Sequence, residues 1–181
     1  PPRQVLARRR AQRVFVNGVG AIARGVADLL REAEIGRVWR ADDCRRGKAT
    51  FTVLVNTVQP PTLTARAHAR RKLPYLPVTA ADGGVDIGPL VRPGSTPCLR
   101  CVEMHCKDAA PNWRGRAGEC GSELVETTLR QLAIAMTAAL AVQHLDGDAS
   151  DAVGHTFQLR SPLRLTRRRW KPHPRCGCTA G

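Results

Sequence analysis

A short apolar strand, a glycine turn and an amphipathic helix follow one another in "RVFVNGVGAIARGVADLLREAEIGRVWRADD", residues 13–43, and few topologies accept that order. Val14, Phe15 and Val16 form a β-branched and aromatic run, which Gly18 and Gly20 punctuate. From Ile22 the apolar residues Ile22, Val26, Leu29, Leu30 and Ala33 recur at the period of a helix with one buried face. Gly36 closes that helix and Val38 to Ala41 start another strand, so the stretch predicts a βαβ unit, whose two strands must run parallel.

The rest of the chain continues in the same style. "ATFTVLVNT", residues 49–57, is a short apolar run suited to a buried parallel strand. A helix from about Leu63 to Lys72 and a strand from Tyr75 to Thr79 follow. "GGVDIGPLVRPGSTPC" reads as strand and loop, and residues 122–145 as the longest helix, apolar nearly all round and therefore buried. The tail alternates on both sides of Ser161-Pro162, an antiparallel hairpin leading to the last cysteines. The expected fold is α/β: a Rossmann-like, mostly parallel sheet with helices on both faces and an antiparallel C-terminal hairpin.

With 181 residues and 43% hydrophobic content the chain can bury one core, so residues 13–181 are expected to form a single domain after a basic segment, 1–12. Pro1-Pro2 with no methionine reads as the start of a fragment or a processed chain. No signal-peptide pattern and no long uninterrupted apolar stretch are present, so no membrane partner is expected and the cytoplasm is the expected compartment. The net charge of +14 can attract phosphate backbones or acidic partners. Aromatic residues make up only 4%, however, and no basic run is interleaved with them, so nucleic acid is not the expected partner.

"GVGAIA", Gly18 to Ala23, fits G-x-G-x-x-A between strand and helix. Glycine permits the tight turn, lets backbone approach a phosphate, and leaves the ligand facing a helix N-terminus that favours negative charge. Asp42 or Asp43, at the end of the second strand, stands where an acid would hold ribose hydroxyls. The same pattern also serves plain strand-to-helix packing, and aspartates are common turn residues.

"TPCLRCVEMHCKD" places Cys98 and Cys101 at C-x-x-C spacing, and "PRCGC" places Cys176 and Cys178 at C-x-C. Four thiolates so arranged can surround one tetrahedral zinc at Zn–S distances of about 2.3 Å, with no position left for water, the signature of a structural metal. A thioredoxin-type pair would need no second pair, and a disulfide framework would need an oxidising compartment. Of the other cysteines, Cys106 could replace a ligand, and Cys120, at the start of the long helix, is a candidate nucleophile. His105 beside the cluster could be a substitute ligand or a donor to one, though an exposed helical histidine is the expectation, and His155 and His173 have no acidic partner in view.

The glycine-turn βαβ unit, "LPYLPVTAADGGVDIGPLVRPGSTPCLRC" and "RRRWKPHPRCGC" together resemble the ThiF/MoeB group, bacterial relatives of ubiquitin-activating enzymes, from Arg13 to Cys178. The resemblance is strongest to the divergent actinobacterial branch of azole-forming peptide biosynthesis, the ThiF-like cyclodehydratase or leader-peptide-binding proteins. It implies an adenylyltransferase fold that uses ATP and magnesium on the carboxylate of a peptide or small protein. Gly18, Gly20 and Ala23 would face phosphate, Asp42 the ribose, and Cys98, Cys101, Cys176 and Cys178 the zinc. A homodimer and a YcaO-type partner carrying the ATP chemistry are implied as well.

The chain departs from that family where catalysis is concentrated. Adenylating members carry an asparagine, a phosphate-binding arginine and a lysine after the ribose acid; here "DCRRGK" is all that precedes the next strand, and Arg45, Arg46 and Lys48 are the only candidates. The family's C-T-D motif, whose aspartate holds magnesium, is replaced by "VNTVQP", with Val58 in the acid's place. Losing one group that stabilises transition-state charge commonly costs about 3–4 kcal/mol. Impaired adenylation is therefore expected, and the alternative is a non-catalytic scaffold that binds a peptide or a partner protein.

Overall fold

The computed structural model describes residues 2–43, 47–81, 83–113 and 125–178. Its elements are α1 (Arg3–Ala11), β1 (Arg13–Asn17), α2 (Gly20–Glu32), β2 (Arg37–Arg40), β3 (Phe51–Val55), α3 (Pro61–Arg71), β4 (Tyr75–Ala81), β5 (Gly84–Ile87), α4 (Leu99–Ala109), α5 (Thr127–Asp146), β6 (His155–Arg160) and β7 (Arg164–Arg169).

All seven strands share one sheet, in the order β2-β1-β3-β4-β5-β6-β7. The first four pair in parallel. β5, β6 and β7 continue by antiparallel pairing, so that five of the seven strands point the same way. The antiparallel part is wider than the expected hairpin, because β5 already folds back on β4 with Val78 opposite Ile87.

β3 is buried at every residue, as a strand flanked on both sides and covered on both faces must be. Val14, Val16, Phe51, Val53 and Val55 point to one face and join Ile22, Val26 and Leu30 of α2 and Leu129, Ala133 and Ala141 of α5 in the main core. The alternate residue Leu54 points to the other face, where it packs with Tyr75, Val91, Cys98 and Cys101. α3 and α4 lie against each other there. Helices thus cover both faces, and the smaller core is organised around cysteine.

The termini of the elements follow local chemistry. Pro61 opens α3, where its missing N–H costs nothing. Glu126 caps α5 by accepting from the Thr128 and Leu129 amides, and Gly147 ends that helix in the left-handed region. The long helix therefore starts at Thr127, later than its apolar composition suggests, with Val125 and Glu126 ahead of it. Nor is it buried all round, since Leu132 is 40% exposed. α2 stops at Glu32, before Gly36. Gly36 serves a different contact: a Cβ there would stand 1.8 Å from the carbonyl oxygen of Arg10.

That contact belongs to α1, the helix formed by the basic N-terminal segment. The Gly36 amide donates to the Arg9 carbonyl. The Arg9 guanidinium donates to both carboxylate oxygens of Asp146 at 2.7 and 2.6 Å and to the Ala33 carbonyl at 3.2 Å. α1 is in this way clamped to the ends of α2 and α5. Asp146→Ala would strand a mostly covered guanidinium, and is expected to cost about 2–3 kcal/mol in urea unfolding and to make α1 the first site of protease cleavage. A stability change within about 0.5 kcal/mol would show that the pair does not hold the helix.

Candidate functional site

Cys98 stands at the N-cap of α4 and Cys101 in its first turn, while Cys176 and Cys178 come from the tail beyond β7. Gly177 between them takes a left-handed φ of 67°, which lets the tail turn back toward α4. All four sulfurs lie within 4.8 Å of one another, with Cys98 3.6 Å from Cys176 and Cys101 3.3 Å from Cys178. These separations are too long for disulfides and close to the edge of about 3.8 Å that a tetrahedron with bonds of about 2.3 Å requires. The four cysteines can therefore hold a metal ion.

Burial pushes the Cys98 thiol far up and the Cys178 thiol up to about 11. Burial also raises Cys101, but the His173 amide and the neighbouring sulfurs donate to it and bring it below the usual thiol range. A metal bound here would have to displace the thiol protons, so its occupancy would fall as pH falls. Cys106 lies outside the cluster, on the wall of a neighbouring cavity.

α4 and the tail are joined by more than sulfur. His173 is buried, and its Nδ1 accepts from the Arg175 amide at 3.1 Å, so its Nε2 carries the proton and donates to Asp108 at 2.8 Å. Asp108 also accepts from the Arg175 guanidinium at 2.5 Å, and His105 Nε2 donates to the Lys171 carbonyl at 3.0 Å. His105, read from the sequence as a free surface residue, is thus a tether. His173 has the acidic partner that the sequence did not reveal. The spacing that could have revealed it is Cys101, His105 and Asp108, which fall on one face of α4.

The glycine turn is shaped by packing as well as by any ligand. Gly18 has φ 150°, and a Cβ there would lie 2.3 Å from the Val55 carbonyl oxygen, so only glycine lets the turn rest on β3. Gly20, with φ 90°, is the first residue of α2, and Ala23 is fully buried against the sheet. The two acids after β2 divide their roles: Asp43 accepts from the Arg40 amide at 2.7 Å and closes the turn, whereas Asp42 is the more exposed and pairs with the Arg40 side chain at 2.7 Å. Arg45, Arg46 and Cys120 lie outside the described residues. Lys48 lines a depression under Phe15 and Trp39, whose rings stack 5.9 Å apart.

After β3, Asn56 is engaged with the backbone, its Oδ1 accepting from the Ala80 amide at 2.7 Å. Thr57 forms part of the wall of a cavity of about 300 Å³ between α4 and the sheet, shared with Asp86, Glu103, Arg168 and Trp170. Val58 is 59% exposed. This loop carries no carboxylate.

The fold and the cluster define an α/β protein of Rossmann-like topology whose sheet is extended by antiparallel strands and whose smaller core is built on four cysteines. Among solved structures the fold is similar to that of E. coli MccB with ATP, at a TM-score of 0.73 and 13% identity over 98% of this chain and 69% of that one. E. coli MccB with MccA gives the same TM-score, identity and coverage. The heterocyclase TruD matches at a TM-score of 0.70 and 18% identity, over 97% of this chain but only 28% of its own length. Similarity at these identities is similarity of fold. No protein-family model and no curated protein sequence matches the chain.

The Asp108 carboxyl is held below the usual carboxylate range, chiefly by the bond from His173 and then by Arg175. Its hold on the tail is therefore complete above the ordinary carboxylate range and lost as pH falls through the lowered value. Asp108→Asn is expected to melt below the parent chain at neutral pH, with the difference closing in acid. A difference that persisted in acid would assign the effect to packing rather than charge.

Proposed function

We propose that the chain is a ThiF-like module stapled by a structural zinc, that its adenylation chemistry is impaired, and that it binds a peptide or small-protein carboxylate on behalf of a partner enzyme. The observation that carries this reading is the loop after β3, where exposed Val58 stands in place of a magnesium-binding acid. Adenylation sends a carboxylate oxygen onto the α-phosphate of ATP as the bond to pyrophosphate breaks. The charge that develops needs fixed cations. Valine has no lone pair to give magnesium, and the neighbouring Asn56 is committed to Ala80.

Binding is what the remaining features suit. The cavity beside Thr57 offers acids, an arginine and a tryptophan to an incoming chain end. Proteins of this fold have been solved with MccA, and a heterocyclase with substrate and cofactor, which supports a peptide as the class of partner. A YcaO-type enzyme supplying the ATP chemistry, a homodimeric state and a cytoplasmic setting for free thiols complete the proposal. Among the described residues no helix is long and apolar enough to cross a membrane.

A zinc held by Cys98, Cys101, Cys176 and Cys178 would have no open position for a reactant, and it would cross-link α4 to the tail. Purified without added metal, the chain is expected to carry about one zinc, and Cys101→Ser to lose the metal together with cooperative thermal unfolding. Calorimetry is expected to show no magnesium-dependent ATP binding, and pyrophosphate exchange to stay at background with any peptide carboxylate. Micromolar, magnesium-dependent ATP binding accompanied by peptide-dependent exchange would establish an active adenylating enzyme instead.

A further inference from the structure

β7 ends the sheet: it pairs with β6 on one side only, and all six of its residues are exposed. Its sequence, Arg164-Leu165-Thr166-Arg167-Arg168-Arg169, places four arginines on six positions. The register fixes where they point. Leu165, Arg167 and Arg169 lie opposite Leu159, Phe157 and His155, on the same face as the main core, and Arg164, Thr166 and Arg168 project on the other face. Arg168 is held over the Trp170 ring at 4.1 Å, and Arg167 over Phe157 at 5.6 Å and beside Asp151 at 3.7 Å. No carboxylate among the described residues pairs with Arg164, Arg168 or Arg169.

An open strand edge presents backbone N–H and C=O groups to any extended chain, and arginines deter the commonest wrong one, a second copy of the same edge. Two β7 strands paired antiparallel in full overlap would set Arg164 opposite Arg169 at both ends, with further arginines on the diagonals between, which destabilises cross-strand pairing. An extended segment bearing Asp or Glu reverses the sign of each of those contacts. Leu163 and Leu165, 72% and 55% exposed, add apolar surface at the hairpin end. A nucleic acid would gain the charges but could not complete the backbone ladder, and Trp170, the nearest ring, is covered by Arg168.

We propose that the outer edge of β7 receives an acidic, extended peptide segment as an eighth strand of the sheet. This rests on the peptide-binding reading above and adds the place and the chemistry. Arg168 also lines the cavity beside Thr57, so a segment docked on β7 runs past the mouth of that cavity.

The test uses the full chain and a fluorescein-labelled ten-residue peptide alternating Glu with Thr or Val, read by anisotropy at two salt concentrations. A lysine-for-glutamate peptide and an N-methylated peptide of unchanged charge serve as controls. The acidic peptide is expected to bind at least tenfold more tightly than either control and to slow amide exchange in β7. Arg164→Glu combined with Arg169→Glu, two side chains without an ion pair among the described residues, is expected to weaken it at least tenfold while leaving the melting temperature in place. Equal binding of the N-methylated peptide would overturn strand addition, and so would preference for a single-stranded oligonucleotide of equal charge. Binding of any of these peptides without a change in β7 exchange would overturn this site and leave the peptide-binding reading standing. Absence of binding by every peptide would remove both.

Discussion

Helix α4 and the tail meet through four sulfurs, and much of what is distinctive in the molecule depends on that meeting. On their side of the sheet Leu54, Tyr75 and Val91 pack against Cys98 and Cys101, with Ala65 of α3 and Leu99 of α4 beside them. The Asp108–His173–Arg175 network and the bond from His105 to Lys171 surround the cluster and fix the loop that delivers Cys176 and Cys178. A core of this size would be marginal if it relied on apolar area alone. A metal ion held by the four cysteines would convert it into a cross-link between residues distant along the chain.

Much of this architecture was legible in the residues. The β1–α2–β2 unit, the buried β3, the α3–β4 pair and the closing hairpin all follow from period and punctuation, and the cysteine spacings pointed to the four sulfurs that converge. Less legible was whatever depends on side chains meeting across the fold. Gly36 looked like the end of a helix because glycine usually marks one, whereas its absence of a Cβ is required by Arg10 from another element. The apolar α5 suggested burial on all sides, but composition does not reveal that Leu132 faces outward. The reversal at β5 was missed although Ala81-Asp82-Gly83-Gly84 between two β-rich runs is a hairpin signal of the ordinary kind.

The glycine turn shows why a fingerprint and an activity are separate matters. Gly18 is required by the carbonyl of Val55 whether or not a nucleotide is present, and Asp43 is consumed by its own turn. Such residues can persist for structural reasons after a reaction has been lost. Position 58 in the loop after β3 is different, because its side chain is exposed and nothing in the packing demands a valine over an acid there. Chemistry, where it exists, is decided at positions of that second kind.

The two halves of the sheet also differ in how far along the chain their partners lie. β1 to β4 are joined by near neighbours in sequence, whereas Asp86 of β5 pairs with Gln158 of β6, and Cys98 meets Cys176 across a separation of 78 positions. The parallel half can thus assemble early, while β5 waits as an unpaired edge until a distant strand arrives. During that interval it is open to strands of other chains. The completeness of this sheet accordingly depends on a strand and two sulfurs that lie at the far end of the chain.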